Sequence, residues 1–246
     1  MNSNQSPNRL AVERSKEHRQ LALLALLLLV PTPSIGTFFS MVLDLGTLGQ
    51  MVYALSKLWL VLFPLGWLFF VEKGHWSFSM PNRGGFLTAA IFGIVISIII
   101  LLAYRVFAST LIDPELLQQT IQKNQLDVTW RFVALSIYLI TVNSLLEEFV
   151  WRWFVFKKCE AFLPGFAAVL TSAAFFTFHH IIALRAQMPW TATILCSLGV
   201  FVGGSVWSWC YLRYRSIWPG YLCHAIVDLA ILAIAYHLIF MTPAAP

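Results

Sequence analysis

The sequence has 246 residues, of which 59% are hydrophobic and 11% charged, and its formal net charge is +5. An ordinary soluble domain carries about 25% charged residues, so a chain with a mean hydropathy of +0.75 is neither a water-soluble globule nor a disordered protein. A segment inside a bilayer must satisfy its own backbone hydrogen bonds, and no barrel-like alternation is present, so we predict an all-α, polytopic membrane protein.

Seven stretches are long and apolar enough to cross a bilayer, which takes about 20 residues. In chain order they are Leu21–Leu43, Met51–Val71, Phe86–Phe107, Phe132–Phe156, Phe166–Leu184, Ala192–Leu212 and Ile217–Phe240. Pro31 and Pro33 interrupt the first stretch and predict a kink or a re-entrant shape. No small-residue cleavage site follows it, so we expect it to be retained rather than removed as a signal peptide. Asp113-Pro114 predicts the start of a short surface helix.

The chain is predicted to consist of a basic cytoplasmic tail (1–20), a single transmembrane domain (21–240) and a short C-terminal tail (241–246). Counting Lys and Arg by side predicts a cytoplasmic N-terminus. One side holds 11 of the 16, namely Arg9, Arg14, Lys16, Arg19, Lys73, Arg83, Arg152, Lys157, Lys158, Arg213 and Arg215. The other side holds Lys57, Arg105, Lys123, Arg131 and Arg185. An eighth span within one of these stretches would move the C-terminal end to the opposite side of the membrane. The basic residues form no patch, which excludes nucleic acid as a partner.

Three clusters of polar side chains lie inside predicted spans, where an ionisable group is expensive and by default marks function. The fourth span carries Asn143, Glu147, Glu148 and Arg152, the fifth ends in His179 and His180, and the seventh carries His224 and Asp228. Glu148 and Arg152 are four residues apart and can form an ion pair, whereas Glu147 is turned about 100° away. Asp228 can likewise accept a hydrogen bond from His224 and fix its tautomer.

The three clusters also fall at similar depths. At 1.5 Å per residue, Glu147, His224 and Asp228 lie roughly 11–17 Å from the same predicted face, and His179 roughly 20 Å. They therefore predict one intramembrane polar cavity, with His179 as the poorest fit. Because adjacent histidines point in different directions, we expect at most one of His179 and His180 to join Glu147. Each cluster alone also fits a packing role, and the coincidence of three favours function.

The order of these residues resembles a known family. The runs are Glu147-Glu148-Phe-Val-Trp-Arg152, Phe175-Phe-Thr-Phe-His179 and His224-Ala-Ile-Val-Asp228. They resemble the Glu-Glu-x-x-x-Arg, Phe-x-x-x-His and His-x-x-x-Asn/Asp motifs of the CPBP or Abi family, which groups CAAX prenyl proteases and bacteriocin-processing enzymes. The resemblance covers about Leu135 to Asp228. Phe176 and His180 also satisfy the second motif, but the preceding small residues align better with His179.

The resemblance implies an intramembrane endopeptidase with a catalytic core at about residues 132–240, acting on a membrane protein or membrane-anchored peptide. It implies that Glu147 activates the hydrolytic water and that His179 helps to hold it. Glu148 and Arg152 would support the site, and His224 with the residue at position 228 would stabilise the oxyanion. Since an ionised Asp cannot donate a hydrogen bond, Asp228 is expected to orient His224 or to act while protonated. The resemblance also implies a multi-pass protein of the bacterial inner membrane, where members of this family usually occur.

Three further interpretations stay open beside a glutamate-dependent hydrolase without an obligatory metal. Zinc is the candidate cofactor, since His179, His224 and Glu147 form a plausible ligand set with one open position, although no His-Glu-x-x-His run occurs. The competing function is a transporter or proton-coupled carrier that uses the same buried Glu and His as a relay, although we find no inverted repeat. A catalytically silent scaffold that binds a membrane partner is the third interpretation.

Overall fold

The computed structural model describes residues 7–75, 80 and 84–241, and for 7–14, 109 and 110 it describes the backbone alone. Every regular element in these residues is a helix, which confirms the all-α prediction. The helices are α1 (Pro7–Leu29, resuming as Thr32–Val42), α2 (Gly46–Val71), α3 (Phe86–Leu111), α4 (Pro114–Asn124), α5 (Thr129–Glu160), α6 (Phe166–Arg185), α7 (Trp190–Tyr214) and α8 (Ile217–Met241). In this part of the chain, seven of them, all except α4, are long and apolar enough to span a membrane.

Proline interrupts α1 as the sequence predicts. The α-helix that starts at Pro7 ends at Leu29, and helical structure resumes at Thr32, with Pro33 in its first turn. Proline has no N–H group to donate, so the regular hydrogen-bond ladder cannot pass through this point unbroken. Helical structure nevertheless continues to Val42, so the prolines interrupt this helix and do not end it.

The short helix α4 begins where Asp113 caps it. The Oδ1 atom of Asp113 accepts hydrogen bonds from the backbone N–H groups of Glu115 (3.0 Å) and Leu116 (3.1 Å). Pro114 occupies the first helical position, where its missing N–H costs nothing. The predicted surface helix is therefore present, and it ends at Asn124 before a left-handed residue at Gln125 (φ 52°).

Helix α5, which carries the first polar cluster, is not a uniform α-helix. It is π-helical over Tyr138–Asn143 and again over Phe149–Phe156, and these segments enclose an α-helical turn at Ser144–Glu148. Wider turns of this kind often accompany functional sites. Both glutamates of the predicted motif therefore stand in the short α-helical turn between two irregular segments.

The polar helices are packed together by a shared apolar core. Helix α6 runs along α7, and α8 runs along α3 while also contacting α5 and α7. The buried aromatic side chains of Trp151, Phe156, Phe176 and Trp207 lie between these helices. A Cβ atom at Gly204 of α7 would lie 3.1 Å from the Phe176 ring, so α6 and α7 approach each other closely at this glycine.

Some of the residues used to predict orientation lie inside spans rather than in loops, among them Lys57 and the fully buried Arg152. Lys57 lies inside α2, 11 residues after Gly46, which places it about 16 Å along the helix at 1.5 Å per residue. It therefore marks neither side of the membrane, and counting it as a loop charge was wrong. Arg83, another residue of that count, lies outside the described residues. The cytoplasmic N-terminus and the domain boundaries stay predictions.

Candidate active site

A polar cavity of about 200 Å³ lies between α5, α6 and α8. Its walls are formed by Leu139, Asn143, Glu147, His180, His224, Asp228, Ile231 and Leu232. The predicted convergence of three spans on one hollow is thus present in the geometry. Since a water molecule takes up about 30 Å³ in the liquid, the cavity has room for several waters beside a reacting group.

Behind the cavity, Glu148 and Arg152 form the ion pair expected from their spacing. The Oε1 atom of Glu148 lies 3.1 Å from a guanidinium nitrogen of Arg152, and neither side chain is exposed to solvent. The guanidinium also lies over two aromatic rings, 4.6 Å from the centroid of Phe176 and 5.0 Å from that of Trp207. Cation–π contacts add to the pairing where water is excluded, so Arg152 is held by one carboxylate and two rings.

Helix α8 reaches this ion pair through a glycine. A Cβ atom added to Gly220 would lie 2.4 Å from the Oε2 atom of Glu148, closer than any ordinary contact. The absence of a side chain at position 220 therefore lets α8 pack directly against the carboxylate. One turn further along, this approach carries His224 to the same carboxylate.

His224 is fixed by Glu148 rather than by Asp228. Its Nδ1 atom lies 3.1 Å from the Oε1 atom of Glu148, and its ring stacks on Trp207 with centroids 3.8 Å apart. Its Nε2 atom lies 3.7 Å from Glu147 and 3.8 Å from Asp228, both beyond hydrogen-bond length. The expectation that Asp228 holds the tautomer of His224 is therefore corrected. Glu148 takes that place because Gly220 lets the two helices meet.

Asp228 instead has a partner on α5. Its Oδ2 atom lies 2.5 Å from the hydroxyl of Ser144, a fully buried residue whose hydroxyl also lies 2.7 Å from the carbonyl oxygen of Leu139. Nothing in the sequence marks Ser144 as a neighbour of Asp228, because a serine in a membrane helix usually bonds to the carbonyl of its own preceding turn. The contact ties the polar faces of α5 and α8 together.

Glu147 points into the cavity and is held by a neighbouring amide. Its Oε1 atom accepts a hydrogen bond of 2.9 Å from the Nδ2 group of Asn143, and the Oδ1 atom of Asn143 accepts one of 3.4 Å from Lys57. Lys57 is not among the predicted site residues, because its charge is counted with those of the loops. The signal was present, because a lysine in the middle of an apolar stretch marks function by default.

Both histidines of α6 lie close to Glu147, against the expectation that at most one would. His180 lines the cavity, and its Nδ1–H group donates to the carbonyl of Phe176 at 2.9 Å. The ring of His179 stacks on Trp151 at 5.3 Å, and its Nδ1 atom has no hydrogen-bond partner among the described residues. The two imidazole centroids are only 4.1 Å apart, because the rings tilt toward each other instead of diverging.

A metal-ligand set is also formed, but it differs from the one that the sequence suggested. One ligand atom each from Glu147, His179 and His180 lie within 4.8 Å of one another. His224 is not part of this group, and its Nδ1 atom is engaged by Glu148. Two imidazoles and a carboxylate are suitable zinc ligands, and the unpartnered Nδ1 atom of His179 leaves a nitrogen available.

The comparison with known families identifies the part of the chain that holds this cavity. Residues 129–230 match the family model described as type II CAAX prenyl endopeptidase, Rce1-like. The matched segment contains Asn143, both glutamates, both α6 histidines, His224 and Asp228, and it leaves out α1 to α4. No curated protein and no solved structure matches the chain.

Proposed function

We propose that this chain, a member of the CPBP family of CAAX-type intramembrane endopeptidases, hydrolyses a peptide bond of a membrane-associated protein with Glu147 as its general base. The observation that carries the proposal is the convergence of Glu147, His180, His224 and Asp228 on one cavity between spanning helices. The family match favours hydrolysis over transport. A prenylated C-terminal peptide is the substrate class that the name of the family model suggests.

In the proposed reaction, Glu147 moves one proton twice. A water molecule in the cavity gives a proton to its Oε2 atom while the water oxygen bonds to the scissile carbonyl carbon, whose oxygen becomes an oxyanion. The protonated Glu147 then passes that proton to the leaving nitrogen as the C–N bond breaks. The products are a carboxylic acid and an amine, and Glu147 returns to its starting form.

His224 is proposed to stabilise the oxyanion. Its Nδ1–H group donates to Glu148, so only the imidazolium form carries a second proton, on the Nε2 atom that faces the cavity. Three carboxylates surround this ring, at 3.1 Å for Glu148, 3.7 Å for Glu147 and 3.8 Å for Asp228. A preorganised donor of this kind stabilises the developing negative charge most strongly where water is excluded.

His180 is proposed to hold the attacking water. Because its Nδ1–H group is committed to Phe176, the neutral ring offers the lone pair of Nε2 as an acceptor for a water proton. His179, which the motif alignment favours, is proposed as the second contact of this water. A zinc ion held by Glu147, His179 and His180 would supply Lewis-acid activation of the water; the mechanism proposed here operates without it.

The decisive variant is Glu147→Gln, which keeps the shape of the side chain and the amide contact but removes the base. We expect that a membrane-protein terminus appears in cells that express the active chain and is absent with Glu147→Gln. Purified enzyme should likewise cleave a quenched-fluorescent farnesylated peptide that ends in Cys-aliphatic-aliphatic-X. Glu115→Gln on the exposed face of α4 is the matched control and should leave cleavage intact.

Several results would overturn the proposal. Equal cleavage by the wild type and Glu147→Gln would remove Glu147 as the base. Identical termini in cells that express the wild type and in cells that express Glu147→Gln, together with ion flux through reconstituted liposomes, would favour the carrier instead.

We also propose that the chain lies in a bacterial inner membrane with its N-terminus in the cytoplasm. A reporter that is fused to that terminus and is active only outside the cytoplasm should then give no signal.

A further inference from the structure

We propose that Lys57 of α2 is a positioning residue that orients Glu147 through the side-chain amide of Asn143. The inference rests on the proposed function and deepens it, because it brings a helix from outside the matched segment 129–230 into the working site. The site would then depend on the N-terminal half of the chain, where none of the family's motifs lies.

The position of Lys57 demands an explanation. It lies 11 residues from one end of α2 and 14 from the other, near the middle of a span, where a charged side chain is costly. Among the described residues, no carboxylate oxygen lies within 4.0 Å of the Lys57 ammonium nitrogen, the limit for an ion pair. Its recorded contacts are the Oδ1 atom of Asn143 at 3.4 Å and the ring of Tyr53, whose centroid lies 5.5 Å from the ammonium.

The chemistry of the lysine determines which way the amide of Asn143 points. An ammonium group has three donors and no acceptor, so only the Oδ1 atom of Asn143 can face Lys57. The Nδ2 group must then face the opposite way, and it donates to the Oε1 atom of Glu147 at 2.9 Å. The ionised carboxylate of Glu147 only accepts and favours the same orientation of the amide, and the ammonium of Lys57 holds the amide in that orientation from the other side.

The orientation of Glu147 follows from this amide. With Oε1 engaged by Asn143, the remaining oxygen, Oε2, lies 3.7 Å from the Nε2 atom of His224 across the cavity. That oxygen is the one proposed to accept the proton of water. Small misplacements of a reacting group cost large factors in rate, so loss of Lys57 should reduce turnover more than substrate binding.

The test compares Lys57→Met, Lys57→Arg and Asn143→Leu with wild type, using the farnesylated peptide or the native terminus found by the proteome comparison. Lys123→Met, on the exposed ion pair of α4 with Asp44, is the matched control for losing a lysine. We expect Lys57→Met to lower kcat by about 10- to 100-fold, the range for one hydrogen bond to a charged group. KM should stay within about twofold, because uniform substrate binding is not affected.

Two further results distinguish positioning from a general loss of structure. Lys57→Arg, which also presents only donors, should restore most of the lost kcat. In an Asn143→Leu background, Lys57→Met should have no additional effect, because residues that act through one another are not additive. Removing a charge from a span favours membrane insertion, so Lys57→Met is expected to fold. If Lys57→Met does not fold, Lys57→Arg still reports on the site.

The possible failures are distinguishable. If cleavage depends on Glu147 but Lys57→Met behaves like Lys123→Met, the inference fails and the proposed function stands. A rise in KM at constant kcat would mean that Lys57 binds an anionic group of the substrate, which also overturns positioning. If cleavage does not depend on Glu147, the proposed function fails and the inference fails with it.

Discussion

The carboxylate of Glu148 and the guanidinium of Arg152 lie 3.1 Å apart where neither has access to solvent. The same carboxylate oxygen, Oε1, is 3.1 Å from the Nδ1 atom of His224. One anion thus links a cation on its own helix to an imidazole on α8. This chain of contacts supports the cavity from behind and fixes which nitrogen of His224 faces it.

Loss of Arg152 should therefore destabilise the protein strongly. Breaking a buried ion pair by removing one partner leaves an uncompensated charge and costs about 3–5 kcal/mol. We expect Arg152→Met to lower the free energy of unfolding by that order, measured by denaturant unfolding in detergent. Arg152→Lys should not restore it, because an ammonium lacks the planar fork that lies over Phe176 and Trp207.

Two comparisons make this prediction specific. Arg213→Met removes an exposed arginine whose recorded contact is the ring of Tyr214, and it should change the unfolding free energy little. The double variant Glu148→Leu with Arg152→Met removes both charges and should unfold less readily than Arg152→Met alone. A double variant that is the less stable of the two would contradict the ion-pair explanation.

Gly220 should be intolerant of even one methyl group. An alanine Cβ would lie 2.4 Å from the Oε2 atom of Glu148, and moving that carboxylate aside would disturb the contacts of its Oε1 atom with Arg152 and His224. Overpacking of this kind costs about 1–3 kcal/mol. We expect Gly220→Ala to lower both the unfolding temperature and the cleavage rate, because it separates His224 from Glu148.

The chain offers a matched glycine for comparison. Gly199 lies within α7, and a Cβ atom built there meets nothing within 4 Å. Replacing a helical glycine by alanine without a clash stabilises by about 0.5–1 kcal/mol. Gly199→Ala should thus shift the unfolding temperature in the opposite direction. A similar loss of stability in both variants would mean that lipid contact, and not the approach to Glu148, decides the result.

Sequence reasoning succeeded where a single helix contains the whole relationship. The seven spans follow from runs of apolar residues, and the Glu148–Arg152 pair follows from a spacing of four. The polar residues around the cavity could be found because they interrupt runs that are otherwise apolar. The family motifs added their order along the chain.

Partners on different helices could not be predicted in this way. The bond from Ser144 to Asp228 and the bond from Lys57 to Asn143 join residues 84 and 86 positions apart. The attachment of His224 to Glu148 depends on how closely α8 packs at Gly220, which no periodicity contains. The π-helical segments of α5 also change the angle between successive residues, so side-chain directions along this helix depart from 3.6-residue geometry, although Glu148 and Arg152 still meet.

The two histidines of α6 should differ in their effect on catalysis. His180 lines the cavity, whereas the ring of His179 stacks on Trp151 with an interplanar angle of 6°. We expect His180→Ala to reduce kcat by about 10²-fold, as for loss of a residue that positions the attacking water. His179→Phe preserves the stack and should retain more activity than His180→Ala. The opposite ranking in steady-state kinetics would return the water-holding role to His179, as the motif alignment implies.

Chelation separates the two ways in which Glu147 could activate water. If Glu147 acts as a base, cleavage should be unchanged after dialysis against 1,10-phenanthroline, and the purified chain should show no stoichiometric zinc by elemental analysis. If Glu147, His179 and His180 instead hold zinc, as the 4.8 Å clustering of their ligand atoms permits, chelation should abolish cleavage and added zinc should restore it.

His179→Ala then provides an internal check on the metal, because it removes a metal ligand while leaving His180 and its hydrogen bond to Phe176 in place. Loss of both zinc and activity in His179→Ala would establish a metal mechanism, whereas residual activity that is insensitive to chelator would support the carboxylate acting alone.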